Sequence, residues 1–222
     1  FNQEVFTYLD AGENPPKGVV ITYFLEEAPT EPITMTISDA DGNFVKDFTS
    51  KPADADEDTD DKMPKPVYLP AEAGWNRFVW DMRYEDAKEF DGMVLWWSSL
   101  RGPQAVPGNY KVAMTMNGET QEQEFEIVAD PRISATQADL EKQFEFLLAV
   151  RDKVTETHEA VGEIRDVRKQ MQQLTARIAG DSTHKDLVEM SKKIDEEMTA
   201  VEEALYQTKN QSRQDPLNFP IR

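Results

Sequence analysis

The chain has no cysteine, only two histidines and far fewer basic than acidic side chains, and each shortage removes a class of function. Without cysteine there is no disulfide framework, no thiolate nucleophile and no Cys-ligated zinc. His158 and His184 are the only imidazoles, and they do not form a metal-spaced pair. A phosphate loop and a Gly-x-Ser-x-Gly elbow are also missing. Lys and Arg number 24 against 43 Asp and Glu, a net charge of −19, and so acidic a surface repels a phosphate backbone, which argues against a nucleic-acid partner. No run approaches the roughly 18 to 20 apolar residues of a membrane span, and no charged-then-apolar leader opens the chain. Its first residue is Phe1 rather than Met, as in a processed or excised piece.

What remains is ample material for folding. The 222 residues are 39% hydrophobic and include 4 Trp, 11 Phe and 6 Tyr, enough for one large or two modest domains and too much for a disordered tail. Eleven of the 13 prolines lie at or before Pro131, and the other two are Pro216 and Pro220, so long helices have room only between them. Residues 1–133 carry 11 basic and 26 acidic side chains, whereas 134–222 carry 13 and 17. The expected domains are therefore 1–133 and 134–222.

In the first domain the apolar period is two. Val19–Leu25 is a β-branched and aromatic run, and Ile33, Met35 and Ile37 alternate with Thr34, Thr36 and Ser38. Turn residues at 39–43 lead to a returning strand over 44–48. Phe78, Trp80, Met82 and Tyr84 alternate as the clearest strand of the chain. Tyr110, Val112, Met114 and Met116 precede Asn117-Gly118, a tight hairpin signal, and Phe125 and Ile127 lie on the way back. Six to eight such strands predict an immunoglobulin- or fibronectin-like antiparallel β-sandwich.

The second domain has helical period. Ser134 and Thr136 offer caps, and apolar residues from Leu140 through Ile178 recur at three and four, interrupted at stripe positions by Arg151 and His158. The pattern predicts a helix over 136–179, a break at Gly180-Asp181-Ser182, and a second helix over 183–209, together a long antiparallel helical hairpin and an α+β protein overall. The shorter arm leaves residues 140–154 uncovered. Leu140, Phe144, Leu147 and Val154 are thus candidate interaction residues, to be met by the sandwich, by residues 210–222 or by a partner.

The other candidates weigh less. Asp54, Asp56, Glu57, Asp58, Asp60 and Asp61 invite calcium, but Thr59 stands where a calcium loop needs Gly and Lys65 where it needs Glu, so 52–66 reads as a solvated acidic loop with no metal assigned. Trp75, Trp80, Trp96 and Trp97 crowd one stretch. Trp80 is a core position, whereas neighbouring Trp96 and Trp97 point to opposite faces of any strand, which makes them candidates for a partner or a stacked sugar ring. His158 reads as a register-fixing polar position and His184 as an exposed one. Gly162, where the stripe shortens to steps of three, suggests overwinding or a close helix approach. No catalytic residue and no cofactor are assigned.

The stretches from Leu9-Asp10-Ala11-Gly12-Glu13-Asn14-Pro15-Pro16 to Val19, Asn76-Arg77-Phe78-Val79-Trp80-Asp81-Met82-Arg83-Tyr84, Arg101-Gly102-Pro103-Gln104-Ala105-Val106-Pro107-Gly108-Asn109-Tyr110 and Gln214-Asp215-Pro216-Leu217-Asn218-Phe219-Pro220 follow in an order that resembles a known family. It is the C-terminal region of large bacterial proteins with sortilin-like BNR-repeat β-propellers, often labelled glycosyl hydrolases. The Trp-Asp strand followed by Pro-Gly-x-Tyr is also similar to the Ig-like domain of flagellar hook-capping proteins. The acidic loop departs from the family pattern. The resemblance implies an exported, periplasmic or secreted protein whose propeller precedes this piece, with further helical sequence after Arg222. Any hydrolase activity would belong to that propeller. The expectation is a non-catalytic accessory region that binds its own N-terminal propeller or another copy of the chain, with a carbohydrate-binding module as the alternative and a glycan as its ligand.

Overall fold

The computed structural model describes residues 12, 14–52, 67–95, 99–178, 180, 182–210 and 212. Trp96, Trp97, the acidic residues 54–61 and the tail motif at 214–220 lie outside them, as do residues 9–11 and 13 of the motif at 9–19. Among the described residues there are six strands and two α-helices: β1 Val19–Leu25, β2 Thr34–Asp39, β3 Phe44–Thr49, β4 Gly74–Trp80, β5 Gly108–Met116, β6 Glu119–Ile127, α1 Gln137–Ile178 and α2 Lys185–Leu205, the last preceded by a 3₁₀ turn, Ser182–His184. They fall into two compact units, one of Phe1–Arg83 with Pro107–Asp130, the other of Tyr84–Val106 with Pro131–Arg222. The expected division at 133 assigns residues 84–106 to the strands, but they cluster with the helices.

The first unit holds two antiparallel sheets, β1–β4 and β3–β2–β5–β6. Asp39 Oδ1 accepts from the backbone N–H of Asp41 and Asn43 and so closes the β2–β3 hairpin. Asn117 and Gly118, with φ of 51° and 80°, make the tight β5–β6 turn that the dipeptide announces. Ile33, Met35 and Ile37 are buried, as their alternation requires. Trp80 is fully buried, with its ring edge-on to Tyr110 on β5 and Phe125 on β6, while Phe78 meets Phe48 on β3. The indole N–H is satisfied by the carbonyl of Arg83 at 3.0 Å. Asn76, also buried, donates to the carbonyls of Glu72 and Gly74 and accepts from the N–H of Glu72.

One strand is shorter than its pattern. The alternation through Tyr84 predicts a single strand, yet β4 ends at Trp80. Asp81 Oδ1 accepts from the N–H of Arg83, and Met82 takes a left-handed φ of 58°, which turns the chain out of the sheet. Tyr84 then begins a different kind of structure.

Candidate functional site

The second unit contains a pair of helices and an extended strap, residues 84–95. α1 starts with a reciprocal capping box: the N–H of Asp139 donates to Thr136 Oγ1, and the N–H of Thr136 donates back to Asp139 Oδ2. The Thr136 hydroxyl also donates to Asp139 Oδ2 at 2.6 Å, and this bond, together with the one from the Thr136 N–H, holds the Asp139 carboxyl below its ordinary pKa. Of the two candidate caps, Thr136 is thus the one engaged in this box. α2 ends at Leu205, four residues short of its expected boundary, where Tyr206 turns to an extended conformation.

The helices run in opposite directions, because Arg165 on α1 meets Glu202 on α2 whereas Arg168, further along α1, reaches back to Asp195 and Thr199. Their seam contains a network of ion pairs. Glu202 is only 2% exposed and accepts from Arg165 Nε at 2.8 Å and from Arg168 Nη1 at 2.7 Å. Arg168 Nε and Asp195 Oδ1 are 2.8 Å apart but not aligned as a hydrogen bond, so that contact is purely ionic. Burial works to raise the pKa of Glu202, but its hydrogen bonds from both arginines and their charge prevail and lower it.

The strap lies along α1 in a matched register. Arg151 Nη1 donates to the carbonyl of Glu85 at 2.7 Å, His158 Nδ1 to that of Lys88 at 2.6 Å, and Arg165 Nη1 to that of Asp91 at 3.0 Å. The donors are seven residues apart and the acceptors three. Two helical turns advance about 10.5 Å, and three extended residues about 9 to 10 Å, so the two ladders stay in step over three rungs. The accumulated mismatch is absorbed by the long arginines at the outer rungs, with the short histidine in the middle. At the middle rung the N–H of Lys88 also donates to Thr155 Oγ1, and beyond the last rung that of Val94 donates to the hydroxyl of Tyr206, just after α2.

Side chains on the strap follow the same period of three. Tyr84 and Ala87 are buried, and Phe90 and Met93 half-buried, while Asp86, Lys88, Glu89, Asp91 and Gly92 are exposed. Tyr84 sits 4.7 Å from the Phe144 ring, and Phe90 lies edge-on to His158 and Tyr206 with the Arg165 guanidinium 4.6 Å from its centre. Gly102 fixes the strap from behind: its N–H donates to Asp86 Oδ1, and a Cβ there would stand 2.2 Å from the Tyr84 carbonyl oxygen.

The expected residues are distributed as follows. Leu140 and Val154 are half-buried, Phe144 is covered in part by Tyr84, and Leu147 is exposed together with Phe146 and Val150. The strap, which is neither one of the strands nor part of residues 210–222, therefore meets part of the 140–154 stripe. α2 stops one turn beyond the Glu202–Arg165 pair, so Leu147 and Val150 are not reached by it. Arg151 and His158 are backbone-gripping rungs rather than anomalies in a stripe. Gly162 is where Phe90 packs, with a notional Cβ at an ordinary 3.8 Å. His184 is half-buried before α2. On the strand side, Trp75 is 76% exposed and edge-on to Phe24, its cross-strand partner at 5.4 Å.

Among the described residues no cluster of His, Asp or Glu is arranged to hold a metal ion, and no helix is long and apolar enough to cross a membrane. Comparison with protein families, with curated proteins and with solved structures finds no match to this chain.

Proposed function

We propose that the chain is a non-catalytic interaction region, accessory to an exported β-propeller protein, in which an Ig-like β-sandwich carries a helical hairpin that docks on the propeller. The observation that carries this reading is the exposed run on the first half of α1. Phe146 is 69% exposed, and Leu147 and Val150 are exposed beside it, on a helix that the strap meets at Phe144 and Arg151. Three large apolar side chains within two turns of a fixed helix form an anchor of the kind that grooves accept.

Titration calorimetry with the segment encoded upstream of Phe1 tests the proposal. Saturable binding is expected, weakened at least about tenfold by Leu147→Asp, a change at an exposed position that the fold should tolerate. An upstream segment without propeller repeats, or binding indifferent to Leu147→Asp, overturns it. Phe144→Asp is a poorer probe because Phe144 lies against Tyr84 inside the chain.

A second reading, a carbohydrate-binding module, is favoured by the exposed Trp75 beside Phe24, since an indole face free of neighbours stacks on sugar rings. Trp fluorescence quenched by a soluble glycan in the native chain and not in Trp75→Ala supports it. A flat titration across a broad glycan panel removes it.

A further inference from the structure

Most of the apolar stripe of α2 points away from α1, with Met198 the member nearest the seam. At about 100° per residue, Asp195 and Thr199 lie within about 60° of Glu202 on one side, whereas Leu187, Met190, Ile194, Val201 and Leu205 lie about 60° to 120° to the other. All five are exposed, Met190 by 62% and Val201 by 51%. α1 repeats the arrangement. Measured from Arg168, the strap-holding Arg151, Thr155 and His158 lie about 80° to 140° one way, and exposed Val167 and Leu174 about 100° to 120° the other. Because the helices are antiparallel, equal rotations of this sign turn both stripes to the same side of the pair. The strap occupies one side of the hairpin, and a continuous aliphatic face occupies the opposite one.

The geometry points to a second copy of this chain as the partner of that face, in a twofold four-helix arrangement. Resting on the reading of the chain as an interaction region, this assigns a different surface and a specific partner. The helix-to-helix seam already holds the Arg165–Glu202–Arg168 network together with buried Val161 and half-buried Val188 and Met198, whereas the exposed stripe residues lie beside it with nothing of this hairpin over them. The face is formed by aliphatic and methionine side chains, which suits packing against an identical strip about a twofold axis. At roughly 180 Å² per large aliphatic side chain, the exposed fractions of the seven residues sum to about 600 Å² per copy and about 1,200 Å² per dimer, the lower bound of a stable interface.

Sedimentation equilibrium on the full chain tests the assignment. The expected mass is twice the 25.4 kDa chain, with Met190→Glu and Val201→Glu each weakening association about 100-fold while far-UV circular dichroism keeps the helices intact. Leu147→Asp should leave this dimer unchanged, which separates the face from the docking anchor above. Because the chain has no native cysteine, Glu197→Cys labelled with donor or acceptor dye gives a second readout, energy transfer between mixed chains that Val201→Glu abolishes. A wild-type monomer up to about 100 µM, or a dimer that both glutamate variants preserve, overturns the assignment.

Discussion

Arg151→Ala removes one rung of the strap and leaves the helix seam untouched. The bond lost is charge-assisted, from Arg151 Nη1 to the Glu85 carbonyl at 2.7 Å, and such bonds contribute about 1.5 to 3 kcal/mol. Some is recovered because water can reach the freed carbonyl, so the expected loss is about 1 to 2 kcal/mol in denaturant unfolding of the helical unit. His158→Ala should cost about the same, losing its bond to Lys88 and its edge contact with Phe90. The ladder makes a sharper demand. If three rungs grip one strap in a shared register, loss of one rung lets its neighbour slip, and the Arg151→Ala, His158→Ala double variant should be non-additive by at least about 0.5 kcal/mol. Amide hydrogen exchange supplies the local readout: the Lys88 N–H, bonded to Thr155 Oγ1, should exchange faster in both single variants. Arg151→Ala at wild-type stability with an unchanged Lys88 rate would refute the matched-register reasoning.

Gly162→Ala should stabilise α1 by about 0.5 to 1 kcal/mol, because the added Cβ meets Phe90 at an ordinary contact distance, and a lower unfolding midpoint would contradict the packing. Gly102→Ala should destabilise by about 1 to 3 kcal/mol and speed exchange at Lys88, since its Cβ collides with the carbonyls of Tyr84 and Glu85, whose backbone must move; an unaffected strap would count against that close approach. Acid should loosen the helical unit before the strands. Folded Glu202 and Asp139 have pKa values below their ordinary 4.5 and 3.8, so their stabilisation is complete above those values and lost as pH falls through the lower folded ones. Helical dichroism across acid titration should show this fall, and Glu202→Gln should flatten it; an equal fall in that variant would place the effect elsewhere.

Much of the strand unit was legible. Asn117-Gly118, the Asp39 turn and the alternation around Met35 each encode their conformation within a few residues. Thr136 likewise announces α1 through a local exchange of hydrogen bonds. What escaped is the strap. Its period is three, neither the two of a strand nor the 3.6 of a helix, and Tyr84 continues the β4 alternation only because that position suits both patterns. The signal existed across two distant segments: Arg151, His158 and Arg165 at heptad spacing, and Tyr84, Ala87, Phe90 and Met93 at every third residue. Neither set means much until the other is placed beside it. The seam misled in a related way, because periodicity identifies an apolar stripe on α2 but not that Glu202 and Asp195 pair with arginines of α1.

The account turns on the first half of α1 being a surface awaiting a partner. Hydrogen exchange compared between this chain alone and the longer propeller-bearing protein proposed to contain it measures this most directly. Amides over 144–154 should become more protected in the longer protein, while those of the strap at Lys88 and Val94 stay as they are. Equal exchange over 144–154 in both, or new protection confined to the strands around Trp75, would contradict it.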